Sequence, residues 1–229
     1  NLIVIKKNLG YGRGYNFAFE QIKNINDDYY LLLNNDTIIN KDTISNLVDS
    51  INIYGSHNIY GPNIINANNK KNWFCGGKIS LFTGMPFHRG INTSNFTTSF
   101  KTSEVDYVSG CCMLLSKQLL IKLNGFNKSF KMYYEDVDLC LRAKKNGSKC
   151  YFVSNSSIHH LVSYSMGGAY SLTKYFTKID SFIKFLFINN NIVVFLSYFI
   201  MNLLLSPFYI LYLIKKKIIV TTLRGVGHF

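Results

Sequence analysis

The chain has 229 residues, enough for one sizeable domain with an appendage but short for two full domains. Hydrophobic residues make up 48% and charged residues 16%, which excludes an intrinsically disordered chain. The net charge of +13 predicts an anionic partner: nucleic acid, a phospholipid surface or a phosphorylated substrate. The mean hydropathy of +0.07 and the absence of any nucleic-acid-binding motif favour a membrane surface over DNA or RNA.

The five cysteines have neither zinc-ligand nor disulfide spacing, which indicates reduced thiols in a cytosolic compartment. Residue 1 is Asn rather than Met, and the apolar run Leu2–Ile5 follows it at once. No signal peptide precedes this run. We therefore expect a chain that begins inside a domain.

The first half of the chain alternates strand and helix patterns. A strand at Leu2–Ile5, a helix at about Tyr15–Ile25 and a strand at Tyr29–Leu33 together predict a βαβ unit, with the last strand buried and parallel. A helix over Lys41–Tyr54 and a strand over Asn58–Ile65, broken by Gly61-Pro62, are expected next.

Residues 66–103 are polar and lack periodicity, which predicts a long loop or substrate flap with short strands near Trp73–Ile79. Beyond them we expect a strand at Glu104–Leu115 and a helix at Ser116–Leu123 capped by Ser116. A second helix, Tyr134–Asn146, is acidic at its start and basic at its end, and Gly147 closes it. Extended segments at Cys150–Val153 and Ser157–His160 complete this part.

The character of the chain changes after Gly168. Leu172–Asn189 is typical of a basic amphipathic helix. Ile192–Ile214 carries no charge and, as a helix, would be about 34 Å long, enough to cross a bilayer. Lys215–Lys217 would then lie in the cytosol. A hairpin on the membrane surface, broken at Pro207, is the alternative.

An acidic motif, Asn34-Asn35-Asp36, directly follows the predicted strand Tyr29–Leu33. A carboxylate at the carboxyl end of a parallel strand lies where α/β sheets bind ligands, and it can hold a divalent metal that bridges a diphosphate. An Asx turn that merely ends the strand explains the same residues about equally well.

A second pair of acids, Glu135 and Asp136, stands at the start of the predicted helix Tyr134–Asn146. Inverting glycosyl transfer needs a carboxylate that deprotonates the acceptor hydroxyl, and the helix dipole keeps such a group ionised. Simple helix capping is the alternative, although the aromatic run Met132-Tyr133-Tyr134 before the acids is unusual for a cap.

Two further motifs are less specific. His159-His160 ends a short predicted strand and could complete a metal site, but such pairs are more often structural. The glycine-rich segment that includes Gly10, Gly12 and Gly14 matches neither a dinucleotide fingerprint nor a P-loop. It suits a phosphate or nucleotide at a helix N-terminus, or an ordinary turn between a strand and a helix.

Taken in order, four segments resemble family-2 glycosyltransferases of bacteria and archaea, in particular the rhamnosyltransferase-like branch. These segments are NLGYGRGYN, YYLLLNNDT, VDYVSGCCMLLSKQLLIKLNGFNKSFKMYYEDVDLCLRAKKNG and IHHLVSYSMGG. The resemblance covers residues 1 to about 190. It implies an α/β fold of the GT-A (Rossmann-like) nucleotide-diphospho-sugar transferase type, a mixed sheet flanked by helices, with a C-terminal hydrophobic helical tail.

The resemblance also implies an activity: inverting transfer of a sugar from a nucleotide-diphosphate sugar to a lipid-linked or polysaccharide acceptor. Asp36 and His160 would hold Mg²⁺ or Mn²⁺, and Asp136 would be the general base with Glu135 beside it. The positions implied for donor or nucleotide binding are Asn8, Gly10, Gly14, Asn16, Asn34, Asn35, Asp106 and Gly110.

The family normally opens with a strand and nucleotide-binding motifs that this sequence does not show. We therefore expect residues 1–168 to form a GT-A domain without its first βαβ portion, residues 169–190 an amphipathic helix, and residues 191–229 a membrane-associated tail. The expected location is the cytoplasmic face of the cell membrane. A non-catalytic, membrane-anchored remnant or scaffold of the same fold is the alternative function.

Overall fold

A computed structural model describes residues 2–81, 83–94, 100–161, 172–189, 196, 197, 199, 200 and 203–207. The chain divides into two compact units, one of residues 1–80 and 85–185 and one of residues 81–84 and 186–229. The first unit contains every strand named below. In the second unit, residues 203–207 are helical, and their side chains are exposed.

The first unit is built on a mixed sheet, whose strands follow in the spatial order β1-β8-β3-β9-β2, with β4 beside β3 and β7 beside β9. The strands of this sheet are β1 (Tyr29–Leu33), β2 (Thr37–Ile39), β3 (Ile59–Asn66), β4 (Asn72–Phe74), β7 (Ser103–Val105), β8 (Cys112–Ser116) and β9 (Cys150–His160). A separate hairpin consists of β5 (Gly77–Ile79) and β6 (Pro86–His88).

Strands β3 and β9 run parallel at the centre of the sheet, and their facing residues Ile64 and Ile158 are fully buried. Gly61 lies in β3 where a Cβ atom would come within 2.7 Å of the Val108 Cβ atom. Because β3 runs without interruption from Ile59 to Asn66, the expected break at Gly61-Pro62 is absent. The glycine instead allows Val108 to pack closely against a continuous strand. The pairing register with β9 shifts between Pro62 and Asn63.

The predicted opening βαβ unit is wrong in two respects. Leu2–Ile5 forms no strand, and Leu2 is 90% exposed. The strand Tyr29–Leu33 has the predicted bounds, but it pairs with β8 in the antiparallel sense. An apolar run predicts burial without specifying the direction of its partner, so this part of the topology depends on distant residues.

Five helices are described in the chain, and most were predicted with ends shifted by a few residues. They are α1 (Tyr11–Ile22), α2 (Thr43–Tyr54), α3 (Lys117–Lys122), α4 (Glu135–Lys145) and α5 (Leu172–Ile188). The predicted cap is confirmed, since the Ser116 hydroxyl accepts a hydrogen bond from the Leu119 amide at 3.2 Å. Gly147 has the left-handed φ of +86° expected of a helix-ending glycine.

The single strand predicted over Glu104–Leu115 is wrong, because it consists of β7 and β8 separated by residues 106–111. Conversely, the two segments predicted within residues 150–160 form one strand, β9. The polar stretch 66–103 contains β4, β5 and β6. Irregular backbone therefore lies between β7 and β8, beside the acidic residues discussed below.

The hydrophobic run Ile192–Ile214, interpreted above as a membrane segment, lies largely outside the described residues. Among the described residues, no helix combines the length and apolar character needed to cross a bilayer. The five cysteines are buried thiols: Cys75, Cys111, Cys112, Cys140 and Cys150. Burial raises the pKa of Cys112 to about 12, so this thiol stays protonated.

Candidate active site

Asp36 and His160 lie together at one edge of the sheet. Thr37, the first residue of β2, pairs with His160, the last residue of β9. Because Asp36 directly precedes Thr37, this register brings the Asp36 side chain close to that of His160. The Asp36 Oδ1 atom is 3.2 Å from the His160 Nε2 atom. His159 pairs one position further along, with Ile38, and so points to the other face of the sheet.

The Asp36–His160 pair can accept an external ligand. The Asp36 Oδ1 atom accepts no backbone N–H within the described residues and has the His160 Nε2 atom beside it, while the buried Nδ1 atom of His160 makes no hydrogen bond there. Burial lowers the pKa of His160 and the Asp36 carboxylate partly opposes this, so the imidazole is neutral at pH 7. A carboxylate and a neutral imidazole are both metal ligands.

This pair fits a divalent cation as an incomplete protein site. No group of three or more His, Cys, Asp or Glu side chains suited to a metal occurs among the described residues. The remaining ligands would therefore come from water, from backbone or amide oxygens, or from a bound diphosphate.

Asp136 is held by backbone N–H groups on both of its oxygens. The Gly110 amide donates to Oδ2 at 2.9 Å, and the Val137 amide donates to Oδ1 at 2.8 Å. Burial raises the pKa of Asp136, while these two donors oppose the rise. The carboxylate is therefore fixed in orientation and more basic than an exposed aspartate.

Gly110 makes a second hydrogen bond, in which the hydroxyl of Tyr11 in helix α1 donates to the Gly110 carbonyl oxygen. A Cβ atom at residue 110 would come within 2.6 Å of that hydroxyl. The start of α1 is thus linked to Asp136, because Tyr11 bonds to the Gly110 carbonyl and the Gly110 amide bonds to the Asp136 carboxylate.

Glu135 differs from its neighbour Asp136. Its side chain is 5% exposed, and the Oε2 atom makes no hydrogen bond within the described residues. Burial, together with the charge of Asp136, raises the pKa of Glu135 to about 8. At neutral pH the Glu135 side chain is therefore mainly protonated.

The turn before these acids is strained. Tyr133 and Tyr134 have left-handed φ angles of +70° and +69°, which non-glycine residues rarely adopt. Helix α5 holds the turn: the Ser181 hydroxyl donates to the Met132 carbonyl oxygen at 2.7 Å, and the Tyr134 ring packs on Phe182 and Phe185. Strain of this kind is typical of functional sites.

The predicted donor-binding residues near the N-terminus mostly shape the backbone. The Asn8 side chain accepts from the Gly10 amide at 2.9 Å, and Gly10 has φ +83° with no room for a Cβ atom beside the Lys131 carbonyl. The Asn16 amide makes hydrogen bonds with both the N–H and the carbonyl of Phe126. No atom lies within 4 Å of a Cβ placed on Gly14.

Three other predicted positions, Asn34, Asn35 and Asp106, flank the acidic residues. The Asn34 amide donates to the Cys111 carbonyl at 3.0 Å, and the Asn35 side chain is exposed. The Asp106 Oδ2 atom accepts from the Ile79 amide at 2.9 Å, and its Oδ1 atom is 3.4 Å from the Lys144 Nζ atom. Asp106 therefore anchors the β5–β6 hairpin and has one oxygen near a lysine.

Sequence reasoning missed the aromatic side chains of this region. Tyr11, Trp73 and Tyr107 were not singled out, although Tyr11 bonds to the Gly110 carbonyl, Trp73 contacts His160, and Tyr107 directly follows Asp106 in the chain. The signals that could have found them are the tyrosine inside the glycine-rich segment and the single Trp of the chain.

Comparison with known proteins assigns the chain to a class. The model of a family described as "Glycosyltransferase like family 2" matches residues 2–176, and the chain belongs to this family.

Two individual proteins match the chain over shorter segments than the family model does. The chain is similar to the rhamnosyltransferase WbbL of Escherichia coli K12, with 25% identity over 152 residues that form 63% of this chain and 58% of that protein. It is also similar to Agl10 of Haloferax volcanii, a hexosyltransferase of low-salt glycan biosynthesis, with 39% identity over 41 residues, or 18% of this chain and 13% of that protein. The chain thus spans less than two thirds of either relative.

Among solved structures, that of GalNAc-T7 with UDP, GalNAc and Mn²⁺ superposes with a TM-score of 0.54 at 11% identity. The match covers 68% of this chain and 31% of that one. The chain therefore has a GT-A-like α/β fold with a mixed sheet and helices, as the sequence predicted.

Proposed function

We propose that this protein transfers a sugar, with inversion, from a nucleotide-diphosphate sugar to a lipid-linked or polysaccharide acceptor in cell-surface glycan synthesis. The observation that carries the proposal is the half-buried carboxylate of Asp136, oriented by two N–H donors, on a chain of the glycosyltransferase-like family 2. The names of the relatives, a rhamnosyltransferase and a hexosyltransferase, support a hexose or deoxyhexose as the sugar.

Asp136 acts as the general base. As the acceptor oxygen forms its bond to the anomeric carbon, the bond from that carbon to the diphosphate oxygen breaks, and Asp136 takes the acceptor proton. Its pKa is raised by burial, which strengthens it as a base. The neighbouring Glu135, with its pKa raised to about 8, is mainly protonated at neutral pH and so places no second full negative charge beside Asp136.

Asp36 and His160 would hold Mg²⁺ or Mn²⁺, because a carboxylate and a neutral imidazole lie within 3.2 Å of each other and the His160 Nδ1 atom makes no hydrogen bond in the described residues. When bound, the cation would supply charge neutralisation to the departing diphosphate. The structure of GalNAc-T7 was solved with Mn²⁺ and UDP, which supports a divalent ion for this chain too. Asn8, Gly10, Gly14, Asn16, Asn34, Asn35, Asp106 and Gly110 are proposed to shape the donor side of the site.

We place the reaction at the cytoplasmic face of the cell membrane. The +13 net charge suits an anionic lipid surface, and Ile192–Ile214 supplies a long uncharged segment beside Lys215–Lys217. Alkaline carbonate extraction of membranes tests this attachment. Retention in the pellet is expected for a spanning tail, and release into the supernatant would exclude it.

The transferase proposal is tested by following free nucleoside diphosphate. Purified protein is incubated with UDP- and dTDP-sugars, Mn²⁺ or Mg²⁺ and a lipid-linked acceptor, and UDP or dTDP release is measured with and without the acceptor. Acceptor-dependent release that EDTA abolishes and excess Mn²⁺ restores is the expected result. No release and no donor binding by calorimetry would instead favour a non-catalytic scaffold.

A further inference from the structure

Three aromatic side chains form a continuous surface beside the site, here called the aromatic wall: Trp73, His88 and Tyr107. The ring centroids of Trp73 and His88 are 4.5 Å apart, and those of His88 and Tyr107 are 6.3 Å apart. The wall is anchored because Phe74, which is fully buried, packs against both His88 and Tyr107.

The aromatic wall connects the two acidic parts of the site. At one end, the Trp73 ring lies edge-to-face with His160, with centroids 5.2 Å apart, and the His160 Nε2 atom is 3.2 Å from Asp36. At the other end, Tyr107 lies three residues before Gly110, whose amide donates to the Asp136 Oδ2 atom at 2.9 Å, and the charge of Asp136 adds to burial in raising the pKa of Tyr107. A molecule that extends from Asp36 to Asp136 would therefore lie along the wall.

Inverting transfer places one part of the substrate in that position. The attacking acceptor oxygen and the leaving diphosphate oxygen approach opposite sides of the anomeric carbon, so the pyranose ring lies between the diphosphate and the base. In the proposed function the diphosphate end is at Asp36 and His160, and the base is Asp136. The ring being transferred would then lie along the aromatic wall.

Trp73 and His88 are the partly exposed members of the wall, and Trp73 is the one that contacts His160. Tyr107 is 3% exposed and serves as support, whereas Trp73 is half-buried in the middle of β4, where the pairing register with β3 shifts. An indole combines a broad apolar face, suited to the C–H face of a pyranose, with an N–H donor for a sugar hydroxyl.

From this placement we propose that Trp73 forms one side of the subsite that binds the pyranose ring of the nucleotide-sugar donor. The proposal rests on the proposed transferase function and adds a residue that selects the sugar rather than the nucleotide. Replacing the indole should therefore weaken binding of a nucleotide sugar while affinity for the nucleoside diphosphate alone is unchanged.

The chain offers a direct probe, because Trp73 is its single Trp and intrinsic emission reports on this residue alone. Wild-type protein with Mg²⁺ is titrated with UDP and UDP-glucose, and with dTDP and dTDP-rhamnose. We expect a nucleotide sugar to shift or quench the emission beyond the effect of its matching nucleoside diphosphate at equal saturation.

Variants give the energetic test. For Trp73→Ala we expect the Kd of the bound nucleotide sugar, measured by calorimetry, to rise by about tenfold, with recovery of part of the loss in Trp73→Phe. The Kd of the nucleoside diphosphate should stay within twofold of wild type. Phe87→Ala is the matched control, since this aromatic residue of β6, next to His88 in the chain, is 52% exposed and does not belong to the wall.

The outcomes separate the two proposals. If nucleotide sugars bind and turn over but neither the Trp73 emission nor the ratio of the two Kd values responds to the sugar, the subsite is overturned and the transferase function stands. If neither nucleotide sugars nor nucleoside diphosphates bind wild-type protein at millimolar concentrations, both proposals are overturned.

Discussion

The two aspartates of the site are held in opposite ways. Asp36 has a buried oxygen that accepts no backbone N–H in the described residues and lies 3.2 Å from the Nε2 atom of His160. Asp136 accepts a backbone N–H on each of its oxygens. A carboxylate beside a neutral imidazole can share an external cation with it, whereas a carboxylate oriented on both oxygens is ready to receive a proton along a fixed direction.

The backbone around the two aspartates differs as well. Asp36 joins β1 to β2 without any left-handed residue from 34 to 36. Asp136 follows two left-handed tyrosines, and its turn depends on the packing of α5. Asp36 is thus held by the sheet, while Asp136 is carried by a strained turn that packs against helix α5.

The largest effect is expected from Asp136→Asn. The amide cannot act as a base, and one of its two ends would present N–H₂ to a backbone N–H donor. We expect kcat to fall by about 10³- to 10⁴-fold, while the Kd of the nucleotide-sugar donor, measured by calorimetry, changes by less than threefold. Asp180→Asn, at a position 60% exposed on its side chain, is the control for charge alone. Turnover within tenfold of wild type would show that Asp136 is not the base.

Asp36→Ala should have a smaller effect of a different kind. Loss of the open carboxylate removes a proposed metal ligand, so we expect the affinity for nucleoside diphosphate in Mn²⁺ to fall by about 10- to 100-fold. Without metal, wild type and variant should bind equally weakly, and Asp42→Asn is a control at an exposed acid. An unchanged Mn²⁺ dependence would remove Asp36 from the proposed metal site.

Glu135 should make the free energy of unfolding depend on pH. Its pKa is raised to about 8 in the fold, above the unfolded value, so the folded state binds more protons between about pH 4.5 and pH 8. The free energy of unfolding therefore falls as pH rises through this window. In Glu135→Gln we expect this fall to be smaller by about 1–2 kcal/mol, measured by urea unfolding at pH 5 and pH 8.

The control for this prediction is Glu20→Gln, whose carboxylate is 57% exposed and paired with Lys23 on the surface. It should leave the pH slope of the unfolding free energy unchanged. An equal slope in wild type and Glu135→Gln would mean that Glu135 is ionised in the fold, contrary to the arrangement described above.

The local elements of this molecule were readable from the sequence because short-range physics sets them. Ser116 predicts the start of a helix through its hydroxyl cap, and Gly147 predicts the end of another through a left-handed backbone. Both features are present in the structure. The pairing of Tyr29–Leu33 with β8 was not readable, since an apolar run of five residues carries no information on the direction of a partner about 80 residues away.

The site shows the same division. Residue type and motif identified four side chains of the site, and their roles remain predictions. These side chains are Asp36, Glu135, Asp136 and His160. The network that orients Asp136 was not predictable, because the Tyr11 hydroxyl reaches Gly110 across 99 positions of sequence. The aromatic wall was missed for the same reason: Trp73 becomes a site residue only when β2, β4 and β9 join one sheet.

The smallest effect concerns the strain beside Asp136. Tyr133 is left-handed and half-buried, so a residue without a Cβ atom should relieve the cost of its φ of +70°. We expect Tyr133→Gly to be more stable to urea unfolding than Tyr133→Ala by about 1 kcal/mol, the reverse of the usual order of these residues. The two variants lose the same ring, so their difference isolates the backbone term. If alanine is equally or more stable, the turn carries no strain at this residue, and the contrast between a sheet-bound Asp36 and a strained Asp136 rests on hydrogen bonding alone.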